Sequence, residues 1–213
     1  MQGKTHIAIG VATTLAITQP TTPSILVASI GTAMCASLLP DIDIESSIAH
    51  KRTEIIGTIF GLALATSIIG AICGFFTFDD VMERVKTNNL TIGIVLFLAT
   101  LSFGLLLPHL KFKKLIIGHR TFTHSILSLI LFSLSIHLVF PEMYLPFTIA
   151  YISHIVIDLL NKKKCKILWP LKCGISFNIC KSNGATNKVM CILGTIFSIG
   201  LIAFYIIKMY FVI

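Results

Sequence analysis

The sequence predicts an all-α protein, a polytopic membrane bundle of about six to seven hydrophobic helices in a single domain over residues 1–213. Three observations carry this expectation. The composition is 55% hydrophobic and only 12% charged, against roughly 25% charged residues in a soluble domain. The mean hydropathy is +0.91. The apolar residues also fall in long runs, and runs of about 18 or more are long enough to cross a bilayer. A soluble bundle is excluded by residues 192–207, which would have too little polar surface to face water.

The elements follow in order. Residues 4–17 are an apolar segment ending at Gln19-Pro20, short enough to be tilted or partly interfacial. Pro23 suits the first turn of a second helix, which runs to about Leu39 and is stopped by Pro40. Residues 55–76 form a clear span. Residues 77–89 are polar, with Asp79, Asp80, Glu83, Arg84 and Lys86. Residues 90–107 form another span closed by Pro108, and a basic loop follows at 111–120. Residues 122–140 and 144–160 are two more spans separated by Pro141. Residues 161–188 are a polar, basic loop, and residues 189–207 are the last span, with Lys208 snorkelling at its end.

Charge sets the expected orientation. If the N-terminus is cytoplasmic and each segment crosses, then 1–5, 40–54, 109–121 and 161–188 share the cytoplasmic side. These stretches hold 14 of the 17 Lys and Arg; only Arg84, Lys86 and Lys208 fall elsewhere. Such an excess is the positive-inside signature, and it also favours contact with anionic lipid headgroups. The net charge of +8 is therefore read as a topology signal and not as a nucleic-acid interface. No secretory signal peptide is expected, since no small-residue cleavage site follows the first apolar stretch. The six cysteines lack a close Cys-x-x-Cys pair, so a zinc ribbon is not expected and the thiols read as buried or incidental.

The same topology places His6, Asp41, Asp43, His119, His124, His154 and Asp158 together at the cytoplasmic ends of helices. His154 and Asp158 are four apart in an apolar helix, on one face; they suit one shared ion or a His–Asp pair locking two helices. Asp41 and Asp43 follow the helix-breaking Leu39-Pro40. Alternate carboxylates there suit a cation, although capping and a solvated acidic loop explain them individually. His6 alone reads as an interfacial histidine. Thr121, Thr123 or Ser125 can cap the helix after His124. Arg120 offers a planar fork suited to phosphate, or anchors the loop at the headgroups. Collectively these residues suggest a metallohydrolase site on one membrane face. No Gly-rich phosphate loop, Gly-x-Ser-x-Gly elbow or nucleic-acid-binding module is present.

Five stretches carry a family resemblance. They are Thr5-His6, Leu38-Leu39-Pro40-Asp41-Ile42-Asp43, the run from Gly118 to Ser125 (Gly-His-Arg-Thr-Phe-Thr-His-Ser), the run from Ser153 to Asp158 (Ser-His-Ile-Val-Ile-Asp), and Ile167-Leu168-Trp169-Pro170. Together, from His6 to about Cys191, they resemble the YdjM family of inner-membrane metal-dependent hydrolases, which is distantly similar to zinc phospholipases C and P1-type nucleases. The resemblance implies a multi-pass inner-membrane protein. It further implies a divalent ion, zinc above all, held by His6, Asp41, Asp43, His124, His154 and Asp158. His119 would be a further ligand or a proton carrier, and Arg120 would hold substrate phosphate. The implied substrate is a lipid or lipid-linked phosphoester, reached from the surrounding membrane lipids. One departure stands out: where the family pattern carries an acidic residue after Leu-Trp-Pro, residues 182–188 contain no carboxylate. Either Asn187 replaces a ligand there or the position is not essential.

Two other readings remain at this stage. In one, the chain is a non-enzymatic membrane protein whose polar cluster binds a structural metal or pairs internally. A transporter is disfavoured, because its ionisable residues belong near the bilayer midplane and not at helix ends.

Overall fold

The computed structural model describes residues 2–43, 58–59, 78–106, 121–171, 173–182 and 184–211. Among these residues there are seven α-helices: α1 (Gly3–Thr18), α2 (Pro23–Leu38), α3 (Phe78–Lys86), α4 (Asn89–Leu106), α5 (Ile126–Val139), α6 (Tyr144–Leu159) and α7 (Ala185–Phe211). Short 3₁₀ turns occupy Leu39–Asp43, Phe122–His124 and Pro141–Met143. The only β-pairing among the described residues is two isolated bridges in the loop before α7, Asn161 with Cys180 and Cys165 with Ile175. An all-helical bundle is therefore what the sequence folds into.

Local chemistry sets the helix ends. Gln19 takes a left-handed conformation at φ 47° and donates its N–H to the Leu15 carbonyl, which ends α1. Pro23 begins α2 where a missing N–H costs nothing, and the Thr22 hydroxyl accepts from the Ile25 N–H at 3.3 Å. The span expected at 122–140 starts later than the apolar pattern suggests. Its first three residues form a 3₁₀ turn, and Ser125 is the residue that caps α5, accepting from the Ser128 N–H at 3.2 Å. The polar stretch 77–89 contains a helix of its own. In α3, Asp79 and Asp80 stand in the first turn and Arg84 and Lys86 in the last, each sign matched to the helix dipole. Arg84 donates to the Val139 carbonyl at 2.7 Å and so ties α3 to the end of α5.

Helices α1, α2 and α6 pack against one another at the centre. α7 lies along α1, α4 packs on α5, and α5 packs on α6. The core is built from Val11, Leu15, Leu26, Leu39, Phe132, Phe147 and Tyr151. Small residues let the three central helices approach closely, as they do in membrane bundles. A Cβ on Gly10 would collide with the Ser37 side chain and meet Ser153 Oγ at 3.5 Å. Ala33 and Ala36 of α2 are likewise fully buried.

Among the described residues, two helical stretches are long and apolar enough to cross a membrane, Pro23–Asp41 and Ala185–Phe211. A third arises if α3 and α4, bent by 79° at their junction, count as one span. α1, α5 and α6 have only 16, 14 and 16 residues, below the roughly 20 that a bilayer core requires of an upright helix. The span expected at 55–76 lies outside the described residues, apart from Thr58 and Ile59. So do the basic loop at 111–120 and its residues His119 and Arg120.

Candidate metal centre

The centre is assembled from four elements. Each contributes a side chain at the point where its helix begins, ends or breaks. α6 supplies His154 and Asp158 from one face, spaced i, i+4. The 3₁₀ turn Leu39–Asp43 supplies Asp41, the turn Phe122–His124 supplies His124, and the first turns of α1 supply His6. His6, His124, His154 and Asp158 are fully buried. Asp41 alone of the group has a side chain that reaches solvent, at 12% exposure.

The donor atoms converge. His124 Nε2 lies 3.2 Å from His154 Nε2 and 3.2 Å from Asp158 Oδ2. His154 Nε2 lies 3.7 Å from Asp158 Oδ2 and 3.7 Å from Asp41 Oδ1, and His124 Nε2 is 3.9 Å from that same Asp41 oxygen. One donor atom from each of the four residues lies within 4.8 Å of all the others. Donors around a four-coordinate ion with bonds of about 2.1 Å would be separated by about 3.4 Å. The observed separations of 3.2–3.9 Å bracket that value, and the set of two imidazoles and two carboxylates suits zinc or a similar borderline cation. The buried Asp41, His124, His154 and Asp158 cluster can therefore hold a metal ion.

The neighbours of the two histidines fix which nitrogen faces the centre. His154 Nδ1 stands 2.6 Å from the Ser37 carbonyl. A carbonyl only accepts, so Nδ1 carries the hydrogen and the Nε2 lone pair of the neutral ring is turned inward. The Thr123 hydroxyl donates to the Pro40 carbonyl at 2.7 Å. Its oxygen is then the acceptor for the His124 Nδ1–H at 3.3 Å, which again leaves Nε2 facing the cluster. Two inward lone pairs beside two carboxylates repel one another unless a cation or a proton stands between them. Such outer partners orient the ligands of a metal.

The turn that carries His124 is stapled from both sides. Tyr151 of α6 donates to the Thr123 carbonyl at 2.5 Å, and its hydroxyl also lies 3.2 Å from Ser128 Oγ. Phe122 is buried against Phe103 and Trp169 at ring separations of 4.9 and 5.3 Å. Trp169 belongs to the Leu-Trp-Pro element, so that element holds the turn from its outer side.

Sequence-predicted residues fare differently. Asp41, His124, His154 and Asp158 meet. His6 lies beside them: its ring stacks on His154 at 3.8 Å, and its Nε2 is 3.4 Å from Asp158 Oδ1. Asp158 thus turns one oxygen to His6 and the other to His124 and His154. Asp43 closes the 3₁₀ turn in the backbone, but its side chain is outside the described residues, as are His119 and Arg120. Asn187 is not in the four-residue group. It is 1% exposed, and its Oδ1 accepts from Thr5 Oγ1 at 3.0 Å and from the Gln2 N–H at 3.4 Å. It therefore tethers α7 to the start of α1, next to His6. The Ser37 carbonyl and Tyr151 were not singled out from sequence, with only the helix-stopping Pro40 hinting at the first of them, and Thr123 was read as a possible helix cap rather than as a partner of His124.

The fold and the centre define a class: a helical membrane protein with a buried His–Asp group able to hold a metal. The chain belongs to the family of YdjM inner membrane proteins, whose sequence model matches residues 1–212. No curated protein and no solved structure matches it.

Thr123→Val keeps the side-chain shape and removes the hydroxyl that orients His124. Loss of such an outer partner weakens metal binding by about 10–100-fold. Competition against a chromophoric chelator should show that weakening with full occupancy at saturating metal. Unchanged affinity would mean that Thr123 does not position His124.

Proposed function

We propose that this protein is a metal-dependent hydrolase of the membrane surface, acting on a lipid or lipid-linked phosphoester. The convergence of the inward Nε2 atoms of His124 and His154 on Asp158 and Asp41 carries this reading. Zinc is the ion best suited to that donor set. When bound, such an ion lowers the pKa of a coordinated water towards neutrality and polarises a phosphoryl oxygen. The chain's own residues do the rest. Asp158 and the two histidines hold the ion, with His6 packed against His154 and directed at the outer Asp158 oxygen. Asp41 would complete the set from the edge that reaches solvent, the side from which water and substrate can approach. Asp43 is assigned as an additional ligand, His119 as a further ligand or proton carrier, and Arg120 as the phosphate clamp.

The burial of His124, His154 and Asp158 supports a second reading, a closed structural metal that braces the helix ends. Turnover separates the two. Purified protein in mixed micelles, loaded with zinc, is expected to hydrolyse a phospholipid phosphoester. A chelator and His154→Ala should each abolish that hydrolysis, and zinc should restore the chelated wild type. Stoichiometric zinc without turnover across phosphoester classes would favour the structural metal.

The centre is further assigned to the cytoplasmic face, on the strength of the 14 to 3 split of Lys and Arg. Cys173 is exposed in the loop between α6 and α7. A membrane-impermeant maleimide should label it in inverted vesicles and not in right-side-out ones. The reverse pattern would put the loop and the centre on the outer face.

A further inference from the structure

The interface between α1 and α7 has two parts. One is a polar zipper. Asn187 bonds Thr5, Ser198 Oγ donates to the Ala8 carbonyl at 2.8 Å, and the Tyr205 hydroxyl donates to the Leu15 carbonyl at 3.0 Å. Gly194 completes it, since a Cβ there would stand 3.2 Å from the Ala8 backbone. These contacts already hold the two helices together.

The second part is not needed for that docking. Beside the zipper runs an open groove of about 410 Å³, within the roughly 300–1,000 Å³ typical of ligand pockets. Its walls are Ile9, Thr13 and Ile17 of α1 and Met190, Leu193 and Phe197 of α7, and its lining is almost wholly apolar. Thr13 does not break that character. Its hydroxyl lies 2.9 Å from the Ile9 carbonyl and 3.1 Å from the Gly10 carbonyl, so the hydrogen stays within the helix and the methyl faces outward.

Both stripes begin about one helical turn from the Thr5–Asn187 pair beside His6. Ile9 lies one turn beyond Thr5 and His6, and Met190 lies one turn beyond Asn187, by the i, i+3 and i, i+4 spacing of a helix face. The Thr5–Asn187 hydrogen bond therefore lies about one helical turn from that end of the groove, next to His6 and its Asp158 contact. That pair also holds a buried donor: Asn187 Nδ2 has no hydrogen-bond partner among the described residues. The Gln2 N–H can only donate, so it fixes the amide with Oδ1 towards α1 and leaves Nδ2 to be satisfied by something else.

The surroundings identify the occupant. Among the described residues α7 is the more apolar of the two candidate spans, and only 17% of its most apolar stretch is buried. In an inner-membrane family the medium against that helix is lipid. We infer that the α1–α7 groove seats an acyl chain of a membrane lipid, with the polar end of that lipid towards the Ile9–Met190 end of the groove, the end nearer His6. The groove as an acyl-chain site stands on its own; that the seated lipid is the substrate rests on the hydrolase reading above.

The test uses the full chain in vesicles of phosphatidylethanolamine and phosphatidylglycerol. A small fraction of the phosphatidylglycerol carries a diazirine midway along one acyl chain. After illumination, cross-linked peptides are mapped by mass spectrometry. The expected result is several-fold enrichment of adducts on the groove residues Ile9, Thr13, Ile17, Met190, Leu193 and Phe197 over comparably exposed surfaces, such as Ile130 and Leu134 of α5 and Ile199 on the opposite side of α7. Thr13→Trp, or Leu193→Trp should the first variant misfold, fills the groove and should remove the enrichment while helicity and metal content stay unchanged. Equal labelling of all exposed apolar faces would overturn the inference, as would an α1–α7 groove occupied by a second copy of the chain. The readout does not depend on turnover. Enrichment without hydrolysis would leave the acyl site standing and remove only the hydrolase reading, whereas hydrolysis without enrichment would do the opposite.

Discussion

The hydrogen bond from His154 to the Ser37 carbonyl is the contact on which the centre depends. It links α6 to the end of α2 at 2.6 Å, and its origin lies in the next few residues. A helix end leaves its last carbonyls without intrahelical donors. Where the chain tightens into the 3₁₀ turn Leu39–Asp43, the donor three residues after Ser37 would be residue 40. Residue 40 is proline and has no N–H. The Ser37 carbonyl is thus left for the imidazole, and the imidazole is held with Nε2 inward. The same proline offers its own carbonyl to Thr123, which orients His124. One helix stop therefore sets both ring orientations and also places Asp41.

Close approach of the backbones makes this possible. Gly10 leaves room for Ser37 against α1, and Ala36 is buried with only a methyl group between α2 and its neighbours. The consequence is a polar group sealed inside an apolar bundle. Buried ionisable side chains are expensive in such a setting and persist where they are paired or hold an ion. Here they are arranged as a ring of facing donors rather than as a set of separate ion pairs, which is why the group reads as a coordination site.

Much of this was legible in the sequence, and the reasons differ by residue. His154 and Asp158 are on one face because a helix repeats every 3.6 residues, so their spacing alone brought them together. Asp41 was legible through Pro40, a strong helix stop. His124 was legible only as part of a dense polar run, because nothing local says which way a 3₁₀ turn will point its side chain. The stacking of His6 on His154 and the tether from Asn187 to Thr5 join residues far apart in the chain, and no periodicity reports such contacts. Helix starts were misread where capping overrode hydropathy: Phe122 is apolar, yet α5 begins only after the Ser125 hydroxyl accepts its bond from Ser128. The count of membrane crossings was the least legible feature, since apolar runs such as 4–17 are short and their helices lie largely inside the bundle.

X-ray absorption at the zinc edge tests the central claim most directly, because the chain also holds Cys165, Cys173 and Cys180 in one loop as a competing soft site. Protein loaded with one equivalent of zinc should give nitrogen and oxygen neighbours at about 2.0–2.1 Å. The outer-shell signal should fit two imidazoles and be lost in His154→Ala. Sulfur scattering at about 2.3 Å, or a spectrum unchanged by His154→Ala, would show that the metal lies elsewhere and contradict the account.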